Sequence, residues 1–364
     1  MDEILTINRA VPHRSTVPAN IGQNVSLALR EKIATSTQRD LETSKPQVVL
    51  FVHGGFAPSV VAYDLPYRDF SIMAMLAAAG FDVFAMEHTG YGNSPKPKMD
   101  DPCNVDPAFQ HLLIPHVLKM PCKPDYPYKL VSSQTELAEI EAVVRFIMDL
   151  RQVERISLFG WSTGAPRAGG FAALHPDKVD KLMLVAPAPF FPKDNAPEPM
   201  PEVGSPMILQ TYERLMIERW QNDVHCDDQI DDPEVRAVFW KELMAQDGVG
   251  AEWGADGRGI MRAPNRMNFG WRTNAAKISA PTLVVQSEFD NYQNRQDTWK
   301  GLGTKKKLFV KIACASHFLQ FERARYALHR VTREWFRSGT VAGFQKGELY
   351  ADADANIGEL RQNQ

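Results

Sequence analysis

Hydrophobic positions along the chain fall into short blocks whose period switches between two and about 3.6. Within residues 4–34, stretches such as "NVSLALREKIA" alternate apolar and polar side chains. A strand sends successive side chains to opposite faces, so this alternation predicts antiparallel edge strands with one wet face. "PQVVLFVHGG" (Pro46 to Gly55) is instead an unbroken apolar run ending in glycines. It predicts a central strand covered on both faces. Further strand-like runs are "FDVFAMEHTGYGNS", "RISLFG", "KLMLVAPAP", "PTLVVQS" and "KLFVKIA". "FSIMAMLAAAG", "TELAEIEAVVRFIMDLR" and the terminal "LQFERARYALHRVTREWF" read as helices from their composition and apolar spacing. Strands alternating with helices predict an α/β fold around a mostly parallel sheet.

Two stretches interrupt the alternation. Residues 95–131 are proline-rich and irregular. Residues 191–279 hold no strand-like run and read as helices, "MILQTYERLMIERWQ" and "DPEVRAVFWKELMAQ" among them. Four of the seven tryptophans (Trp220, Trp240, Trp253 and Trp271) lie here. The expected organisation is a core over 1–190, a helical cap inserted at 191–279, the rest of the core over 280–338, and a polar tail at 339–364 with no assigned role.

The 364 residues carry a formal net charge of -3, with 44% hydrophobic and 23% charged residues. That balance gives no basic surface for a nucleic-acid partner. The cluster Thr304 to Lys307 reads as the solvated start of a strand. No run approaches the roughly 20 apolar residues of a membrane helix, and the opening residues do not form a secretory signal. A cytoplasmic protein without a membrane partner is expected. Cys103, Cys122, Cys226 and Cys314 are too scattered for a disulfide scaffold or a zinc site. Cys103 and Cys122 bracket one segment and have bridging geometry within reach, but a reducing cytosol favours free thiols. "GLGTKKK" and "GVGAEWG" match no phosphate-binding loop, so neither cofactor nor metal is expected. Monomer and homodimer both stay open.

One pentapeptide concentrates the chemistry. In "RISLFGWSTGAPRAGG" a strand-like run meets a helix-like run at Gly160-Trp161-Ser162-Thr163-Gly164. A serine on so sharp a turn needs small residues two positions away on either side, which Gly160 and Gly164 supply. The turn lifts the Ser162 hydroxyl to a helix N-terminus, where amide dipoles favour developing negative charge. A hydroxyl is a poor nucleophile without a base, and the base needs a carboxylate to orient it. "PTLVVQSEFDNYQ" places Asp290 just past one strand and "KLFVKIACASHFLQFE" places His317 past the next. Glu288 and Asp194 are the competing carboxylates. Of the other histidines, His111, His116, His175, His225 and His329 read as structural, and His53 as a brace for its own loop.

A tetrahedral oxyanion needs two amide donors. The Thr163 N–H follows the nucleophile directly, and the Gly55 or Phe56 N–H lies in the glycine loop "VHGGFAP", where Gly54 lets the backbone approach closely. Trp161, inside the turn, is the expected pocket-lining side chain.

These residues resemble the α/β-hydrolase fold superfamily over roughly 20–337. "FVHGGF" looks like its oxyanion loop, "EHTGYGNS" like its D-x-R-G-x-G-x-S loop and "GWSTGA" like its nucleophile elbow. "PTLVVQSEFD" looks like its acid loop and "SHFLQFE" like its histidine loop. Thr89 replaces the usual arginine and Ser287 the usual glycine. The resemblance implies a capped serine hydrolase cleaving an ester or lactone of a largely apolar small molecule. C–C bond hydrolysis, thioester hydrolysis and acyl transfer use the same triad and stay as alternatives, as does a non-catalytic ligand-binding protein of this fold.

Overall fold

Ten strands build one sheet in the computed structural model, which describes residues 2–188, 201–266, 272–290 and 295–360. The strands are β1 (Ile4–Arg14), β2 (Asn24–Ala34), β3 (Val48–Val52), β4 (Asp82–Met86), β5 (Ile156–Trp161), β6 (Val179–Val185), β7 (Met207–Gln210), β8 (Met261–Pro264), β9 (Thr282–Ser287), β10 (Lys307–Ile312), β11 (Gly347–Ala351) and β12 (Ile357–Glu359). Their order across the sheet is β1-β2-β4-β3-β5-β6-β9-β10-β11-β12, while β7 and β8 pair separately. The run from β4 through β11 is parallel throughout, with antiparallel additions at both edges.

The two sequence periods map onto this arrangement. β3 and β4 are buried at every position, because helices cover both sheet faces. β1 alternates between more and less exposed positions along its length, as a strand with one wet face must. One apolar layer packs β5 and β6 against the helices Ser133–Arg151 and Gly164–Leu174. The opposite layer packs Phe51, Phe159 and Val285 against the helix Arg325–Ser338, including its fully buried Trp335. Each such large apolar side chain contributes ~2–3 kcal/mol of transfer free energy. Leu215, Trp220, Phe239 and Trp240, from the segment between β6 and β9, belong to that same layer.

Three readings of the sequence are corrected. "MILQTYERLMIERWQ" is not one helix. Its first four residues form β7, antiparallel to β8, and a π-helical turn follows at Glu213–Arg219. So the segment 191–279 does contain strands. The tail is not idle either: β11 joins β10 in parallel, and Val341, Leu349 and Ala351 are buried. Nor are the cysteines free thiols. Cys103 bonds Cys122, and Cys226 bonds Cys314. The first clamps the irregular excursion, whose Leu113, Leu130 and Val131 form a small apolar cluster with β7.

No helix among the described residues is long and apolar enough to cross a membrane. Asp194 and Trp271 lie outside the described residues.

Candidate active site

β5 ends at Trp161, and the chain turns into the helix Gly164–Leu174 within three residues. Ser162 sits in that turn with φ +58°, a left-handed conformation that costs a non-glycine residue about 1–3 kcal/mol. Close packing holds it there. A Cβ on Gly160 would come within 2.4 Å of the Gly164 carbonyl oxygen, and one on Gly164 within 2.1 Å of the Val52 carbonyl oxygen. The Ser162 N–H donates to Val185 O at 3.0 Å, and its own carbonyl accepts from Ala188 N at 2.9 Å. The glycine spacing thus has a steric cause, and the serine is pinned at the end of the sheet.

His317 lies on the loop after β10, and its Nε2 is 2.9 Å from Ser162 Oγ. Its Nδ1 is 3.0 Å from Asp290 Oδ2, on the loop after β9. Both loops leave the carboxyl ends of neighbouring parallel strands, so the sheet itself brings the three side chains together. Glu288 faces elsewhere: its carboxylate accepts from Cys314 N at 3.0 Å and pairs with Lys311 Nζ at 3.1 Å. Trp161 donates from Nε1 to the His317 carbonyl at 3.0 Å and lies beside the imidazole, fixing the loop that carries it.

A carboxylate that escapes sequence reasoning supports the same loop. Glu322 is fully buried and accepts from Ser316 N at 2.8 Å, Ser316 Oγ at 2.5 Å, Trp220 Nε1 at 2.7 Å and Gln229 Nε2 at 3.2 Å. It ties the residue before His317 to Trp220 and Gln229 of the segment between β6 and β9. Its only sequence signal was its place five residues after the histidine.

Gly54, Gly55 and Phe56 lie opposite the serine. A Cβ on Gly54 would sit 3.1 Å from Ser162 Cβ, and one on Gly55 3.3 Å from Thr163 Oγ1. Phe56, Trp161, Leu215, Phe239 and Phe318 give the cleft apolar walls, and the half-buried Arg219 adds one cation. Of the expected residues, Gly55, Phe56, Trp161, Ser162 and His317 line this cleft. A larger groove of about 350 Å³ runs along β1 and β2 on the far edge, and no histidine lines it.

Beneath the glycine loop lies a buried polar network. Arg167 donates to His53 O at 2.7 Å and Gly54 O at 3.1 Å, and it pairs with Glu136. Burial would raise the Glu136 carboxyl, but the guanidinium beside it more than offsets this and holds it below its ordinary range. Burial, reinforced by nearby Arg167, keeps His53 and His88 neutral; His88 is pulled down to about 3. His53 Nε2 accepts from His88 N at 3.1 Å, so Nδ1 carries the proton and donates to Gly54 O at 2.7 Å. Hence the 3.9 Å approach of His53 to Glu87 is not an ion pair. Burial likewise pushes Glu87 up to about 7. Among the described residues, no group of three histidine, cysteine or acidic side chains forms a cation site.

A family model described as alpha/beta hydrolase fold matches residues 47–218. The structure is similar to a serine hydrolase involved in carbazole degradation, at 17% identity and TM-score 0.54, covering 92% of this chain and 100% of that one. The chain has the α/β-hydrolase fold. An esterase from Thermogutta terrifontis shares this hydrolase fold at 17% identity and TM-score 0.54, covering 90% and 98% of the two chains. The 2-hydroxy-6-oxo-6-phenylhexa-2,4-dienoate hydrolase of Rhodococcus sp. strain RHA1 does so at 17% identity and TM-score 0.51, covering 92% and 100%. Comparison with curated proteins gave no match. The fold places functional groups at the carboxyl ends of its parallel strands, and Ser162, Asp290 and His317 occupy three such ends in the chain order this fold uses.

Proposed function

We propose that the protein is a serine hydrolase that cleaves a carboxylic ester or lactone of a largely apolar small molecule through an acyl-enzyme. One observation carries the reading: the continuous chain of hydrogen bonds from Ser162 Oγ to His317 Nε2 and from His317 Nδ1 to Asp290 Oδ2, at 2.9 and 3.0 Å. Such a chain is what turns a hydroxyl into a nucleophile.

In this reading His317 takes the Ser162 proton as the oxygen attacks the substrate carbonyl. Asp290 holds the imidazole in the right tautomer and stabilises its charged form. The N–H groups of Thr163 and of Gly55 or Phe56 receive the oxyanion. His317 then protonates the departing alkoxide, activates water, and the acid leaves. Apolar walls at Phe56, Trp161, Leu215, Phe239 and Phe318 suit a substrate with a hydrophobic acyl or alcohol part. The two disulfides favour an oxidising compartment over the cytoplasm read from the sequence.

The test is a set of p-nitrophenyl esters and aryl lactones assayed with wild type and Ser162→Ala. The alanine variant folds and loses turnover by a factor on the order of 10⁴ or more. Equal turnover by the two proteins ends the proposal.

A further inference from the structure

The glycine loop offers its amides to the pocket only if its peptide planes are turned the right way, and three side chains outside the cleft fix those planes. The Gly54 carbonyl accepts from Arg167 Nη1 at 3.1 Å and from His53 Nδ1 at 2.7 Å. The Gly55 carbonyl accepts from Tyr91 Oη at 2.6 Å. A trans peptide is planar, so C=O of one residue and N–H of the next point in opposite directions. Tethering Gly54 O therefore sets the direction of the Gly55 N–H, and tethering Gly55 O sets that of the Phe56 N–H. Two consecutive peptide planes are held from behind, on the side away from the cleft.

We infer that Arg167 and Tyr91 act as positioning residues that preorganise the oxyanion donors of the glycine loop. The inference rests on the serine-hydrolase reading and says which groups outside the cleft make its electrostatics work. Glycines supply close approach, but they also leave a loop free to rotate its peptides. A donor that must turn during the reaction loses much of its value, because catalysis of this kind depends on dipoles already aimed at the developing charge. Here the rotation is stopped by groups that are themselves locked. Arg167 is fully buried on the helix that follows Ser162, and Glu136 holds its other terminal nitrogen. The Tyr91 ring packs against the His53 ring, centroids 4.5 Å apart, and the tyrosine is buried. Because Arg167 sits five residues after the serine on one rigid helix, the same element places the nucleophile and anchors the loop opposite. Removing a tether leaves the donors present but free to swing, so the loss falls on the charged transition state and not on ground-state binding.

The experiment compares Tyr91→Phe, Arg167→Lys and Arg167→Met with wild type on p-nitrophenyl acetate. It adds inhibition by an alkyl trifluoromethyl ketone, whose adduct carries an oxyanion formed when Ser162 Oγ bonds the carbonyl carbon. Tyr63→Phe is the control, since its hydroxyl donates to Val52 O at 2.8 Å, a buried carbonyl at the end of β3 and two residues before that of Gly54. Expected are a kcat lowered about 10- to 100-fold by Tyr91→Phe, a KM within about twofold of wild type, and ketone affinity weakened by a matching factor. Arg167→Met falls further and Arg167→Lys recovers part of the loss, while Tyr63→Phe keeps wild-type turnover. Unfolding temperatures report any general loss of structure, and Tyr91→Phe keeps the test alive if the arginine variants do not fold. Folded Tyr91→Phe with wild-type kcat and ketone affinity overturns the clamp alone. A wild type as inert as Ser162→Ala toward both reagents overturns the parent reading, and the clamp with it.

Discussion

Cys314 lies three residues before His317 and is disulfide-bonded to Cys226, 88 positions earlier in the chain. The loop that carries the imidazole is therefore covalently joined to the segment between β6 and β9. Beside the bond, Gln229 accepts from the N–H groups of His225 and Cys226 and donates to Glu322, which also holds Ser316. A cross-link closing so long a loop removes entropy from the unfolded chain, by about 4–5 kcal/mol in the loop-closure model. Cys226→Ser is expected to lower unfolding free energy by an amount of that order. It should also shrink the destabilisation that reductant causes in wild type to the part due to Cys103–Cys122. Denaturant unfolding with and without tris(carboxyethyl)phosphine measures both. Coincident curves for wild type and Cys226→Ser would remove any structural role for the bond.

Asp290 and Glu288 are two residues apart, yet only Asp290 faces the imidazole; Glu288 is engaged by Cys314 N and Lys311. Replacing Asp290 by asparagine keeps the shape but offers an amide where His317 needs an acceptor, stabilising the wrong tautomer. The expected loss in kcat is on the order of 10⁴, with KM little changed. Glu288→Gln should stay within about tenfold, since it loses an ion pair half open to solvent. Paired ester kinetics decide. The reverse ranking of the two variants would transfer the orienting role to Glu288.

Local signals carried much of this architecture in the sequence, and through-space relations did not. An unbroken apolar run marks β3, and a run broken only by Ser157 and Gly160 marks β5, because a strand buried on both faces can carry few polar side chains. The glycine pair around Ser162 marks its turn because the steric demand falls within five residues. By contrast, the four residues of β7 are too few for their period to tell strand from helix. β11 reads "GELYA", with buried positions only at Leu349 and Ala351. Its assignment depends on the bare edge of β10, which no local pattern reveals. The Cys226–Cys314 bond was hidden in the same way, since the two residues meet only after the sheet forms. The nearer Cys103–Cys122 pair was within reach, and only the expected reducing compartment set it aside. Arg167, Tyr91 and Glu322 looked like ordinary polar residues until their partners, from other elements, stood around them.

His88 and Glu139 form a buried pair, Nδ1 to Oε2 at 2.8 Å, and Glu139 also accepts from Thr89 N at 3.2 Å. Burial pushes Glu139 up to about 7 and pulls His88 down to about 3. In the unfolded chain, between pH 4.5 and 6.5, the histidine holds one proton and the glutamate none. In the fold over that window the glutamate holds one and the histidine none. The proton counts match, so the pair adds no slope to stability there. Below 4.5 the unfolded chain binds a second proton that the fold refuses until about pH 3, and stability falls. Glu139→Gln removes the compensating acid, so the refused histidine proton acts alone. The onset of acid destabilisation attributable to this pair should then move from about pH 4.5 up to about 6.5. Urea unfolding of both proteins from pH 3 to 8 tests it through their difference, in which every other group cancels. A difference that does not change with pH would show that the pair is not protonated in this way.

The last strands bear on stability more directly than their polar composition suggests. β10 carries the loop leading to His317 and pairs β9 on one side and β11 on the other. Deleting residues 340–364 exposes the β10 edge and removes the buried side chains of Val341, Leu349 and Ala351 that pack there. Each lost valine or leucine costs ~1.5–3 kcal/mol of burial, and an open apolar edge invites pairing between molecules. The truncated protein should unfold several degrees lower and associate at concentrations where the full chain stays dispersed, as read by thermal melting and light scattering. Leu349→Ala isolates the packing part, with an expected loss of ~2–5 kcal/mol while the strand backbone remains. If truncation leaves both melting and dispersity untouched, β11 is an ornament on the sheet and His317 owes its placement to β9 and Glu322 instead.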